Sequence, residues 1–162
     1  MFNNIIITLL LLLQSDDSKF ASSLCNEAKI YAKNNNYNEA GELFLKAVSK
    51  NPYYFYAHYG YGKVCLYTGD IKNAVKHLSI AVTLDASSAN GWFYLGFAYF
   101  FSKQYMNAVS CFKKAYTIDS SCIESLYNIA VMYEMMGNSF LSQNYYEKYF
   151  FAKNKKDTGI LF

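Results

Sequence analysis

Cysteine and histidine are the side chains best suited to chemistry near neutral pH, and this chain carries four of one and two of the other. Cys25, Cys65, Cys111 and Cys122 never approach a C-x-x-C spacing. Their separations suit neither a zinc ribbon nor a zinc finger. They read as small buried hydrophobes in a reducing, cytoplasmic compartment. His58 and His77 stand nineteen residues apart, with no acidic or cysteine companion at a ligand spacing. They read as structural histidines, and the sequence implies no metal and no cofactor. There is no G-x-S-x-G elbow, no phosphate-cradling glycine loop and no histidine beside a nucleophile. Nothing here points to an enzyme. All fifteen basic residues are lysine, and the net charge is +3. Without arginine's planar fork, nucleic-acid recognition is a poor expectation.

The chain is 53% apolar and 17% charged, the profile of one folded domain of ordinary size. One proline in 162 residues favours helices. The 19% aromatic content accompanies a lysine-only basic set, a pattern of codon drift, so the raw aromatic count carries less weight than its placement. The stretch GWFYLGFAYFF, residues 91–101, is apolar nearly all round. It is too short to span a bilayer, which takes about 20 residues.

Residue types recur every 34 positions. Ala28, Gly62, Gly96 and Ala130 are small. Tyr31, Cys65, Tyr99 and Tyr133 follow, then Ala40, Ala74, Ala108 and Ser142. Phe44, Leu78, Phe112 and Tyr146 are large, and Ala47, Ala81, Ala115 and Tyr149 close the series. Trp92-x-x-Leu95-Gly96-x-x-Tyr99, followed by Ala108-x-x-x-Phe112, resembles the tetratricopeptide repeat signature. Pro52 is the one turn proline retained. The resemblance covers residues 21–156 as four repeats, 21–54, 55–88, 89–122 and 123–156. It implies an all-α fold: a right-handed α-solenoid of stacked antiparallel helix pairs. Trp92, Leu95, Gly96 and Tyr99 fall on one helix face, the interior one. Gly69 and Gly137 suit left-handed helix ends, and Ser121 with Glu124 reads as a capping box.

That interior face leaves Phe93, Phe97, Phe100 and Phe101 over as a second stripe, at i, i+4, i+7 and i+8. The resemblance places this stripe in a concave groove. Equivalent positions are Lys29 and Lys33 in the first repeat, Tyr59, Lys63 and Tyr67 in the second, and Tyr127 in the fourth. The groove is expected to be basic at its N-terminal end and aromatic in the middle. The bland alternative is that the phenylalanines merely fill a narrow superhelix. Some relatives clamp acidic chaperone tails, but Cys25, Gly60 and Tyr94 stand where the clamp residues belong, so that partner is not expected. The family implies a non-catalytic scaffold that binds a peptide or helix, here apolar with an acidic end, within a larger complex. The alternative is a membrane-associated or exported assembly factor addressed by residues 1–14.

Those residues, MFNNIIITLLLLLQ, form with their flank an apolar segment over 1–20. Four readings stand: half of an extra repeat turning near Asp17, a packed helix, a signal peptide without a basic start, or a segment folded into the groove. Residues 157–162 form a tail. In the last repeat Tyr145, Tyr149 and Phe150 leave the outer face apolar, which calls for a cap, a partner or an oligomer contact.

Overall fold

A computed structural model describes the backbone of residues 2–158 and the side chains of residues 16–155. Among the described residues there are eight helices and no strand: α1 (Phe2–Lys33), α2 (Tyr37–Lys50), α3 (Phe55–Thr68), α4 (Ile71–Leu84), α5 (Ala89–Phe101), α6 (Tyr105–Ile118), α7 (Glu124–Met135) and α8 (Ser139–Thr158). They fall into two compact units, α1–α4 ending at Leu84 and α5–α8 beginning at Asp85. Within the first unit α1 packs on α2, α2 on α3 and α3 on α4. Within the second the order is α5 on α6, α6 on α7 and α7 on α8.

The 34-residue series is the core. Ala28, Ala40, Ala47, Ala74, Ala81, Ala108, Ala115 and Ala130 are fully buried. Leu78 and Phe112 are equally inaccessible, and Phe44 is nearly so. The small residues are small because a large one from the partner helix lies over them. A Cβ on Gly96 would come 2.7 Å from Phe112 Cε1, and one on Gly62 would come 2.6 Å from Leu78 Cγ. Each pair therefore crosses closely enough for ring and aliphatic carbons to rest on bare backbone.

The turns inside the pairs share one geometry. Asn35, Gly69, Lys103 and Gly137, each 34 residues from the next, all have positive φ, between 61° and 82°. Glycine was expected at two of these. At the other two an asparagine and a lysine bear the same left-handed conformation.

Two expectations need correction. The Ser121–Glu124 capping box does not form: α7 begins after Ile123 with no side-chain cap, and the Asp119 carboxylate accepts from Ser121 N instead. The capping serine is Ser88, whose Oγ accepts from Gly91 N at 3.1 Å and opens α5. Trp92 is only partly buried, in the same range as Phe93 and Phe97; it donates Nε1–H to the Ala86 carbonyl at 2.9 Å and lies 4.0 Å beneath Lys114 Nζ. In the last helix pair Tyr145 stacks on Tyr133 and Tyr149 packs against Tyr127, while Phe150 stays 55% exposed on the shelf of α7 and α8 beside Glu134, Ser139, Tyr146 and Glu147, and Phe140 and Phe151 are 80% and 75% exposed. Gln143 stands where the third repeat has the buried Val109.

The backbone of α1 runs unbroken from Phe2 to Lys33, so the turn near Asp17 that a separate half-repeat helix needs is not formed. The packed-helix, signal and groove readings fall on the side chains of residues 1–14, and the tail reading on residues 157–162, all outside the described side chains. Among the described residues no helix is long and apolar enough to cross a membrane.

Candidate functional site

In the first unit, α1 and α3 stand side by side, with α2 behind them. Helical spacing puts Lys29, Ala32 and Lys33 on one face of α1, and Tyr56, Tyr59, Lys63 and Tyr67 on one face of α3. These two faces wall a cleft of about 480 Å³. Tyr37 and Phe44 reach into it from α2. Its floor exists because residue 60 is glycine: a Cβ there would lie 2.2 Å from Phe44 Cε1, so the ring can slide beneath α3 only where no side chain intervenes.

The walls are aromatic and the charges are positive. Tyr37 and Tyr67 stack with ring centroids 5.2 Å apart and planes 14° from parallel, tying the start of α2 to the end of α3. Tyr59 stacks on Phe55 in the same way at 5.4 Å. Lys29 Nζ lies 5.3 Å from the Tyr56 ring and also donates to Asn26 Oδ1 at 3.3 Å. Lys63 Nζ lies 5.3 Å from the Tyr59 ring. These contacts hold the ammonium groups over ring faces, where the π quadrupole attracts them. Among the described residues no aspartate or glutamate lines the cleft. An anion entering it meets the ammonium groups of Lys29, Lys33 and Lys63. Its apolar neighbours meet tyrosine rings, Ala32 and Val64.

Four sequence-predicted residues, Lys29, Lys33, Tyr59 and Lys63, thus come together in one cleft. The reading of concave positions missed Tyr56 and Tyr37. Tyr56 had a signal, since it precedes Tyr59, Lys63 and Tyr67 on the same helical stripe. Tyr37 had none, because it belongs to the second helix of its pair and arrives by tertiary packing.

In the second unit the predicted strip divides. Phe93 and Phe97 pack edge-to-face on the wholly buried Phe112, at 5.6 and 5.4 Å, and on each other at 5.0 Å. Phe93, Phe97 and Phe100 all lie half-buried against the cluster of Val109, Phe112, Ile129 and Met132. Phe101 remains exposed at 54%, with its ring 5.1 Å from Phe100. Tyr127 is 44% exposed and leans on Tyr146 and Tyr149 of α8. These rings therefore serve the packing of their own unit, with Phe101 and Tyr127 its accessible members.

The potentially reactive groups are quiet. Cys25, Cys65 and Cys111 are buried free thiols, and burial pushes them up to about 11, 11 and 12 respectively. Among the described residues no group of three or more His, Cys, Asp and Glu gathers as a metal site. His58 and His77, read from the sequence as structural histidines, pair with each other. Their Nδ1 atoms lie 3.1 Å apart, and His58 Nε2 is 3.0 Å from the Pro52 carbonyl.

The sequence profile of the tetratricopeptide repeat family matches residues 21–54 and 89–122. No curated protein matches the sequence. Among solved structures, the crystal structure of MamA has a TM-score of 0.83 and 22% identity over 91% of this chain and 85% of that one. YrrB, described as a TPR protein with an unusual peptide-binding site, has a TM-score of 0.77 and 19% identity over 92% and 82%. The first TPR of Spaghetti (RPAP3), bound to the HSP90 peptide SRMEEVD, has a TM-score of 0.72 and 18% identity over 74% and 95%. At these identities the likeness establishes the fold.

Proposed function

We propose that this chain, whose residues 21–54 and 89–122 match the tetratricopeptide repeat profile, is a non-catalytic scaffold holding a peptide against the α1/α3 cleft. The observation that carries this reading is the cleft's composition: Lys29, Lys33 and Lys63 among tyrosine rings. Such a surface favours a segment with acidic side chains next to apolar ones. The acids meet the ammonium groups, and the apolar groups leave water against the rings. Two solved relatives of the fold are described as peptide binders, which supports the same use here. Phe101 and Tyr127 are the accessible aromatic groups of the second unit and are proposed as additional contacts for a partner, with Phe93, Phe97 and Phe100 supporting them from beneath.

The test is a binding titration by fluorescence anisotropy. A labelled array of acidic-apolar peptides is compared with the same peptides carrying Lys in place of Asp and Glu. Acidic members are expected to bind, and affinity should fall as salt rises. An exposed ion pair contributes roughly 1 kcal/mol or less. A triple Lys29→Ala, Lys33→Ala, Lys63→Ala variant should therefore lose on the order of 100-fold or less, at roughly five-fold per lysine. Equal binding of the lysine-substituted peptides, or an unchanged affinity in the triple variant, removes the cleft as the site.

A further inference from the structure

The geometry of His58 and His77 points to an acid-released latch that fastens α3 to α4 and to the α2–α3 turn. The bonding pattern fixes the protons. A carbonyl only accepts, so His58 Nε2–H donates to Pro52 O at 3.0 Å. The neutral His58 ring then has a lone pair on Nδ1, which accepts Nδ1–H from His77 at 3.1 Å. The rings stack with centroids 5.1 Å apart and planes 25° from parallel, and Tyr61 of α3 closes edge-on against His77 at 4.7 Å. Both imidazoles are buried, at 4% and 7% exposure. Three elements meet in this chain of bonds: the turn through Pro52, α3 through His58 and α4 through His77.

The latch has room for one shared proton between the two Nδ1 atoms. A further proton can join without breaking a bond only at His77 Nε2, and it places a cation in a buried site. One more puts N–H against N–H across 3.1 Å. The neighbouring charges are Lys76 on α4, which opposes protonation of both rings, and Asp70 in the α3–α4 turn, which favours it at His77. Tyr61, held by Cys65 on the same helix, and the Pro52 carbonyl complete the polar surroundings. Burial, then the nearby His58 and Lys76, holds His77 down to about 4, against an ordinary value of 6.5. His58 is lowered too, again mainly by burial. The sign follows. The opened pair binds protons below pH 6.5 while the closed pair refuses them, so acid favours opening. Repeat arrays unfold locally, so the second helix pair can open while others stay closed. The other face of α3 carries Tyr56, Tyr59 and Lys63, so opening would also dismantle a wall of the cleft; that consequence rests on the peptide-binding reading above.

The experiment is amide hydrogen exchange on the full chain at pH 7 and pH 5, corrected for intrinsic exchange rates. It is run on the wild type and on His77→Asn, whose amide can donate to His58 Nδ1 but does not titrate. Each pH unit between 6.5 and 5 favours opening by up to tenfold per displaced histidine. Protection in α3 and α4 should therefore fall roughly thirty-fold or more in the wild type, with α5–α8 changing far less. His77→Asn should lose most of that dependence. A wild-type response that is flat, or spread evenly over all eight helices, overturns the latch. So does a His77→Asn response equal to the wild type. Should that variant not fold, the wild-type imidazole resonances decide: a His77 midpoint at 6 or above overturns the proposal, and one near 4 to 5 supports it. Because exchange is read without ligand, failure of the latch is distinguishable from failure of the cleft.

Discussion

Two glycines in the first unit, both buried in helix interiors, should respond to the same substitution with opposite signs. Gly41→Ala in α2 adds a Cβ whose nearest neighbours are Val64 Cγ1 at 3.5 Å and Tyr61 Cε2 at 3.7 Å, ordinary contact distances. Replacing a mid-helix glycine by alanine is worth about 1 kcal/mol in backbone entropy and propensity. Gly41→Ala should therefore stabilise by about that amount. Gly60→Ala in α3 receives the same gain, but its Cβ falls 2.2 and 2.3 Å from Cε1 and Cζ of Phe44. That ring is 3% exposed and belongs to the same core cluster as Ala28, Ala40, Ala57 and Val64. Overpacking of this kind costs about 1–3 kcal/mol, and the severity of this overlap argues for the upper end. The net expectation is a loss of about 2 kcal/mol, and a spread of about 3 kcal/mol between two changes that are chemically identical. Circular dichroism melts read it directly. At roughly 2–4 °C per kcal/mol for a chain of this size, Gly41→Ala should melt a few degrees above wild type and Gly60→Ala several degrees below. Adding Phe44→Leu to Gly60→Ala should cost less than Phe44→Leu alone would suggest, because the smaller side chain relieves the overlap. A Gly60→Ala protein as stable as wild type, or a double variant with strictly additive losses, would refute the account of close crossing on bare backbone.

Three further outcomes follow from the same geometry. Lys103 has φ 61° at the turn position where two other repeats have glycine, so Lys103→Gly should gain several tenths to about 1 kcal/mol in urea melts; a loss would show that the left-handed conformation is not strained there. Phe97→Ala should destabilise by about 3 kcal/mol and Trp92→Ala by less, since Phe97 packs edge-to-face on the wholly buried Phe112 while Trp92 lies between the Lys114 ammonium and the Ala86 carbonyl; the reverse order would make Trp92 the stronger core contact. Native protein at pH 8 should react promptly with Ellman's reagent at Cys122 alone, the one cysteine that is not buried, and at all four after denaturation; prompt reaction of a second thiol would contradict the burial that raises Cys25, Cys65 and Cys111.

The repeat and its core were legible in the amino-acid order because they are periodic and local. Small residues at 28, 62, 96 and 130 and large ones at 44, 78 and 112 must alternate wherever two helices of a pair cross, and four copies in phase leave little freedom about where helices begin and end. The lysines and tyrosines of the cleft were legible for the same reason, since Lys29, Lys33, Tyr59 and Lys63 occupy equivalent positions of successive first helices. α5 was different. ANGWFYLGFAYFF is apolar on every side, so its sequence contains no phase to tell an inward ring from an outward one. Phe112, fifteen residues beyond Phe97, settles it by drawing Phe93 and Phe97 against itself and leaving Trp92 to Lys114 and the Ala86 carbonyl. Helix entry was equally undecided, because a serine caps only if the backbone arrives at the right angle, as at Ser88 and not at Ser121. The histidine pair was the least visible of all. His58 and His77 have no local pattern, and they become one hydrogen-bonded group only when α3 and α4 fold together, because a contact between two elements depends on their relative placement and not on the neighbours of either residue along the chain.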